Sequence, residues 1–217
     1  MKNTLYIFDI DGTLTDSVPM YLISVTKSLE SLGILDIDTD YNNYKHHTDS
    51  YALRYNYERN FKKDMPHGLL NDFEEDLVHQ MSKFDEINEI IGAGALLQYF
   101  KKLDIPFCFA TGALPKPAMV KLEQCNLWYD EQILATSKTH ESREGFVMDA
   151  IERAKKFYSI SKFDRIVSIG DGLWDLKTAK NLSLDFVGIG DRNKQKLIAN
   201  GAEHCFSNLE EFQQSLN

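Results

Sequence analysis

The chain is short of cysteine, short of basic side chains and without a long apolar run. Its three cysteines in 217 residues, Cys108, Cys125 and Cys205, lie far apart and form no CxxC pair. That spacing argues against a disulfide framework and against a zinc site. Cys108, inside PFCFA, reads as a small core residue. Lys and Arg number 24 against 33 Asp and Glu, a formal net charge of −9. That balance argues against nucleic acid as the main partner, since a surface that tracks phosphates needs a basic stripe. A pocket can still oppose the global sign locally and take a small anion. No stretch approaches the roughly 20 apolar residues of a membrane span, and the opening MKNTLYIFDIDG acquires acids too early for a signal peptide. The expectation is a cytoplasmic protein with no membrane partner. Internal repeats and low-complexity tracts are also lacking. What remains is 43% hydrophobic and 26% charged, an ordinary globular composition. The length suits one domain, or one domain carrying an insert.

Short apolar runs alternate with helical stretches over most of the chain. TLYIFDI, IPFCFAT, QILATS, RIVSIGD and DFVGIGD read as strands. GALLQYFKKL, PAMVKLEQC, GFVMDAIERAKKF and LWDLKTAKNL carry apolar residues at helical spacing. Near-continuous apolar strands separated by helices predict an α/β fold with a parallel sheet covered on both faces. Ligands of such sheets sit beyond the carboxyl ends of the strands, and those ends carry Asp9, Thr111, Asp171 and Asp191. One interval breaks the alternation. From Val18 to about Asn88 no strand is evident, and YLISVTKSLESLG, SYALRYNYERNFKKD and LLNDFEEDLVHQMSKF read as amphipathic helices. Residues 1–16 and 89–217 are therefore expected to form the sheet domain, with 17–88 a helical insert.

The chemistry concentrates in two motifs. In DIDGT, Asp9 and Asp11 stand two apart on a strand and so can face one site. Gly12 permits a sharp exit, and Thr13 offers a hydroxyl and a backbone donor. Such a pair suits a hard cation or a division of nucleophile and acid/base roles; a lone DxD is equally a turn with both acids solvated. The second motif, SIGDGLWDLKTAK, puts Asp171 at a strand end and Asp175 four residues on. Asp171 alone could be a helix N-cap. Four acids at two strand ends would repel one another unless a divalent cation joined them, and an oxygen-only ligand set favours Mg²⁺. In FCFATGA, Thr111 and Gly112 make either a small anion cradle or a plain turn.

DIDGTLTDS, the Thr of FCFATG and IGDGLWD resemble three of the four motifs of the haloacid dehalogenase superfamily, in order and at matching intervals. A helical segment directly after DGTLTDS is similar to the phosphoglycolate phosphatase-like branch, which has an α-helical cap of the C1 type. The resemblance spans essentially the whole chain and implies a Rossmann-like core with residues 17–88 as the cap. It implies Asp9 as the nucleophile that becomes an aspartyl phosphate, and Asp11 as the acid/base. It implies Mg²⁺ held by the Asp9 carboxylate, the Asp11 carbonyl and Asp171, with Asp175 in support. Thr111 and the N–H groups of Gly112 and Gly12 would bind the phosphoryl oxygens. The third motif departs from the family pattern. Its usual lysine, often followed by proline, is absent from SKTHESREGFVMDAIERA, where Arg143 falls nearest the expected place and Lys138 is the alternative.

Asp11 sets the chain apart from the dehalogenases proper, which lack the second aspartate, and from phosphonate-cleaving members, which carry alanine there. Sugar phosphomutases with the same cap type have a histidine near the position of Tyr21. The implied activity is hydrolysis of a small phosphorylated metabolite. A β-phosphoglucomutase-like phosphotransferase and a catalytically weakened phospho-ligand binding protein are the alternatives. Substrate choice is expected from KHHTDSYALR, where His46, His47, Thr48 and Arg54 could meet the leaving group; the same histidines could equally be solvated. His67, His79, His140 and His204 have no metal-like spacing. A monomer is the default, with a dimer left open.

Overall fold

The apolar runs form strands because each is buried on both faces. In the computed structural model, which describes residues 3–216, six parallel strands stand in the order β3-β2-β1-β4-β5-β6. They are β1 (Thr4–Phe8), β2 (Phe107–Ala110), β3 (Leu134–Ala135), β4 (Arg165–Gly170), β5 (Asp185–Ile189) and β6 (His204–Phe206). β1 lies between β2 and β4, with Tyr6 opposite Phe107 on one side and Ile7 opposite Ser168 on the other. The chain steps outward from β1 to β2 and β3, then returns to add β4 on the far side. That reversal opens a crevice at the carboxyl ends of β1 and β4.

Six helices cover the sheet: α4 (Ala93–Lys102), α5 (Pro115–Gln124), α6 (Arg143–Phe157), α7 (Leu173–Asn181), α8 (Lys194–Ala199) and α9 (Leu209–Ser215). Three more, α1 (Val18–Ser31), α2 (Asp49–Phe61) and α3 (Leu69–Met81), occupy the interval between β1 and α4, where no named strand occurs among the described residues. Pro19 stands in the first turn of α1, where its missing N–H removes no helical bond. α1 and α3 extend the main core with Tyr21, Val25, Leu29, Phe73, Leu77 and Met81. Among the described residues no helix is long and apolar enough to cross a membrane.

One expected strand is shorter than its apolar run. Only Leu134 and Ala135 of QILATS pair, because Asp130 caps a short 3₁₀ turn at Glu131–Ile133 that uses up the start of the run. The extended paths end in line with the acids. Asp9 N–H donates to the Ile169 carbonyl at 2.9 Å, carrying the β1–β4 ladder one residue past β1.

Candidate active site

Beyond β1 the chain turns at once. Leu14 and Thr15 N–H groups donate to the Ile10 carbonyl at 2.9 and 3.0 Å, and Gly12 N–H donates to Thr15 O at 2.8 Å. Gly12 has φ +79°, and a Cβ there would lie 2.5 Å from a carboxylate oxygen of Asp171. The glycine thus supplies both the turn and the space for the opposite strand's acid. Gly170, at the end of β4, leaves space for Asp175, whose carboxyl carbon would lie 2.5 Å from an added Cβ. Asp175 stands in the first turn of α7 and accepts from Gly172 N–H at 3.0 Å. Carboxylate oxygens of Asp9, Asp171 and Asp175 all fall within 4.8 Å of one another.

Arg143 opens α6 and reaches into this group. Its side chain is 12% exposed, and its guanidinium donates to Asp175 and lies 3.5 Å from Asp9 Oδ1. Lys138 goes elsewhere, to Glu74 of α3 at 2.6 Å. Burial pushes the Asp9 carboxyl well above its usual range; Asp175, Asp11 and Asp171 raise it further, and Arg143 opposes them. Burial and then Asp175 raise Asp171 to about 7, again against Arg143. One guanidinium does not balance three crowded carboxylates. The residues present, oxygen donors only, fit a hard divalent cation.

The two acids after β1 take different partners. Asp11 stays out of the carboxylate group: both its oxygens meet Lys121 Nζ, at 2.7 and 2.6 Å, and Oδ1 also accepts from Ser17 Oγ at 2.5 Å. Asp9, Asp11 and Thr111 nevertheless line one cavity of about 350 Å³, walled by Tyr21, Tyr44 and Trp174. Gly112 also lines it, and its carbonyl accepts from Asp49 N–H at 2.9 Å. Thr111 Oγ1 accepts from Ala113 N–H at 3.1 Å. Gly12 departs from expectation, because its N–H is already bonded to Thr15 and is not presented to a phosphoryl oxygen.

The expected specificity residues also separate. His47 and Thr48 line the cavity, and His47 stacks on Trp174 with ring centroids 3.6 Å apart. Burial, helped by Arg143, lowers His47 to about 4, so near neutrality it is an uncharged wall. Thr48 caps α2 and donates to Glu141 O at 2.9 Å. His46 turns away, edge-on to Tyr51, into a second cavity of about 490 Å³ that contains none of the grouped carboxylates. Arg54 is held by Glu141 through two bonds of 2.7 Å and by Glu58 at 3.1 Å, outside the cavity with the acids.

Four residues went unread in the sequence. Asn193 donates to Asp171 O at 3.0 Å. Asp49 is buried, accepting from Leu114 N–H at 2.8 Å and from Tyr21 Oη. Ser17 and Lys121 bracket Asp11. Lys121 had a visible signal, since Ala118, Lys121, Leu122 and Cys125 share one helical face and a lysine in that seam is out of place.

Acids from two neighbouring strands thus meet at the switch point of a parallel α/β sheet, where such folds bind ligands. A family model for haloacid dehalogenase-like hydrolases matches residues 6–189, and the chain belongs to that family. Its fold is similar to that of a hydrolase from Pseudomonas syringae (20% identity, 98% of each chain covered, TM-score 0.73). It is also similar to CbbY from Rhodobacter sphaeroides, solved with phosphate (17% identity, 94% of this chain and 93% of that one, TM-score 0.68). A proposed β-phosphoglucomutase from Bacteroides vulgatus shares it as well (14% identity, 98% and 87%, TM-score 0.72). No curated protein matches the sequence.

Proposed function

We propose that the protein is a Mg²⁺-dependent phosphatase that hydrolyses a small phosphomonoester through an aspartyl phosphate on Asp9, in the manner of the phosphoglycolate phosphatase-like branch. The observation that carries this reading is the pairing of Asp9, set among Asp171, Asp175 and Arg143, with Asp11 on the same cavity. Asp9, Asp171 and Asp175 would hold the Mg²⁺, which when bound supplies positive charge against the substrate phosphate. Arg143 adds a fixed charge beside the nucleophile, the third-motif role for which Lys138 is in the wrong place. Thr111 and the Gly112 backbone would orient the phosphoryl oxygens.

In the first half of the cycle an Asp9 oxygen bonds to phosphorus while the ester P–O bond breaks, and Asp11 gives its proton to the leaving oxygen. In the second half, water bonds to phosphorus as the Asp9–P bond breaks, and Asp11 takes a water proton, ready for the next cycle. The helices of residues 17–88 act as a cap, with Tyr21, Tyr44 and His47 closing the cavity and keeping out bulk water. The Tyr21 hydroxyl is committed to Asp49. Where phosphomutases of this cap type carry a histidine, this chain therefore offers no free acid/base, which favours hydrolysis over transfer between sugars.

Phosphate release from a panel of phosphomonoesters, with Mg²⁺ and with EDTA, tests the proposal. Metal-dependent release is expected, with Asp9→Asn lowering it by at least about 10⁴-fold at unchanged melting temperature. Retained turnover in Asp9→Asn would sink the nucleophile assignment. Conversion of a sugar phosphate without phosphate release would move the protein to the phosphotransferases.

A further inference from the structure

Lys121 sits where an apolar residue would serve the fold better. Its side chain is 0% exposed, on the face of α5 that Ala118 and Leu122 also bury. A charge taken fully out of water is tolerated only with close partners, and a hydrophobic residue of similar volume is commonly as stable or more so. The partners here all converge on the acid after β1. Nζ meets both oxygens of Asp11, whose side chain is 19% exposed, and lies 3.2 Å from the centroid of the Tyr21 ring. Tyr21 in turn donates to Asp49, and Leu114 N–H donates to the same Asp49 oxygen.

We infer that Lys121 is a positioning residue for proton transfer by Asp11, holding that carboxylate in one orientation against Ser17. The inference rests on the acid/base role proposed above. Oδ1 of Asp11 accepts from both Lys121 and Ser17, whereas Oδ2 accepts from Lys121 alone. Oδ2 therefore keeps the greater acceptor capacity and is the atom that exchanges a proton with the leaving oxygen and then with water. Lys121 keeps its own proton throughout, so the proton balance of the cycle is unchanged. The contact with Tyr21 ties this orientation to α1, so the acid/base is held in place when the helices between β1 and α4 lie over the sheet.

The test compares Lys121→Met on two esters. A simple alkyl phosphate needs its leaving oxygen protonated; p-nitrophenyl phosphate does not. For the alkyl ester kcat is expected to fall about 10²-fold at unchanged KM, as for a misplaced acid. For p-nitrophenyl phosphate the first-turnover burst of p-nitrophenolate should stay within about 3-fold of wild type, because that step needs no proton from Asp11. In an Asp11→Asn background, Lys121→Met should add no more than about 3-fold, since coupled residues are not additive. Ser17→Ala, which leaves the buried ion pair in place, should show the same leaving-group bias in weaker form and guards against a Lys121 variant that fails to fold. Equal losses on both esters, or full additivity with Asp11→Asn, would make Lys121 merely structural and overturn the inference. A wild-type enzyme that neither releases phosphate nor gives a burst would instead defeat the phosphatase reading, and this one with it.

Discussion

Around the strands, the side chains withdrawn from water are Phe8, Phe100, Phe107, Phe109 and their aliphatic neighbours. Across residues 36–60 buried apolar groups such as Leu53 and Tyr57 share the interior with polar ones: Thr48, Asp49 and Asn56 are also withdrawn from water, bonded to backbone groups and tyrosine hydroxyls. The joints between the two regions are likewise polar: Asp49 with Leu114, and Arg54 with Glu141. Apolar packing is insensitive to pH and tolerates no gaps. Hydrogen-bonded carboxylates can be released and remade. The sheet side suits a rigid frame for the acids, and the helical side suits a cover that reports on charge.

That contrast can be broken most forcefully at Phe107, which is 1% exposed and packs edge-on against Phe8 and Phe109. Phe107→Ala should lower unfolding stability by about 3–5 kcal/mol, read from urea denaturation; a loss under about 1 kcal/mol would mean the frame is not the rigid half. Next comes the charge at the frame's edge. Arg143→Ala should reduce kcat about 10²–10³-fold, while Lys138→Ala, whose lysine pairs with buried Glu74 and not with the grouped acids, should change kcat by less than about 3-fold. The reverse order would reassign the third motif. The smallest effect lies at the cover. Burial raises Asp49 to about 6 from an ordinary 3.8, so the native state binds its proton more tightly than the unfolded chain does. Stability from this group is then lost as pH rises from about 4 to 6, by up to about 2–3 kcal/mol. Asp49→Asn should remove that loss, gaining on wild type between pH 4 and pH 7 in thermal melts. A variant that runs parallel to wild type over that range would show that Asp49 is not the charge felt by the cover.

Much of the frame was legible. The alternation of apolar runs with helical spacing gave β1 to β5 within two residues, though not β6, and the stretch after Asp16 read as helical. Of the residues that group, Asp9 and Asp171 were marked by their places at strand ends, and Asp175 by its place four residues past Asp171. Arg143 was nearest the expected place, and it reaches Asp9 and Asp175. Less legible was every contact made across the chain. KHHTDSYALR pointed to four specificity residues, yet Arg54 is spent on Glu141 and His46 faces the other cavity. The motif marks Gly12 as a phosphate donor, yet its N–H is spent within the turn on Thr15 O.

The sequence by itself determined which residues end strands, where turns need glycine, and that two acids follow β1. Those features depend on neighbours a few residues away, through strand alternation and turn geometry. Only the tertiary structure decided that the two acids divide, Asp9 toward Asp171, Asp175 and Arg143, and Asp11 toward Lys121, 110 positions along the chain. Partner choice at that distance is set by which helix face packs against which strand end. A buried ammonium pairs with the carboxylate that packing leaves within reach, because burial without one would be too costly.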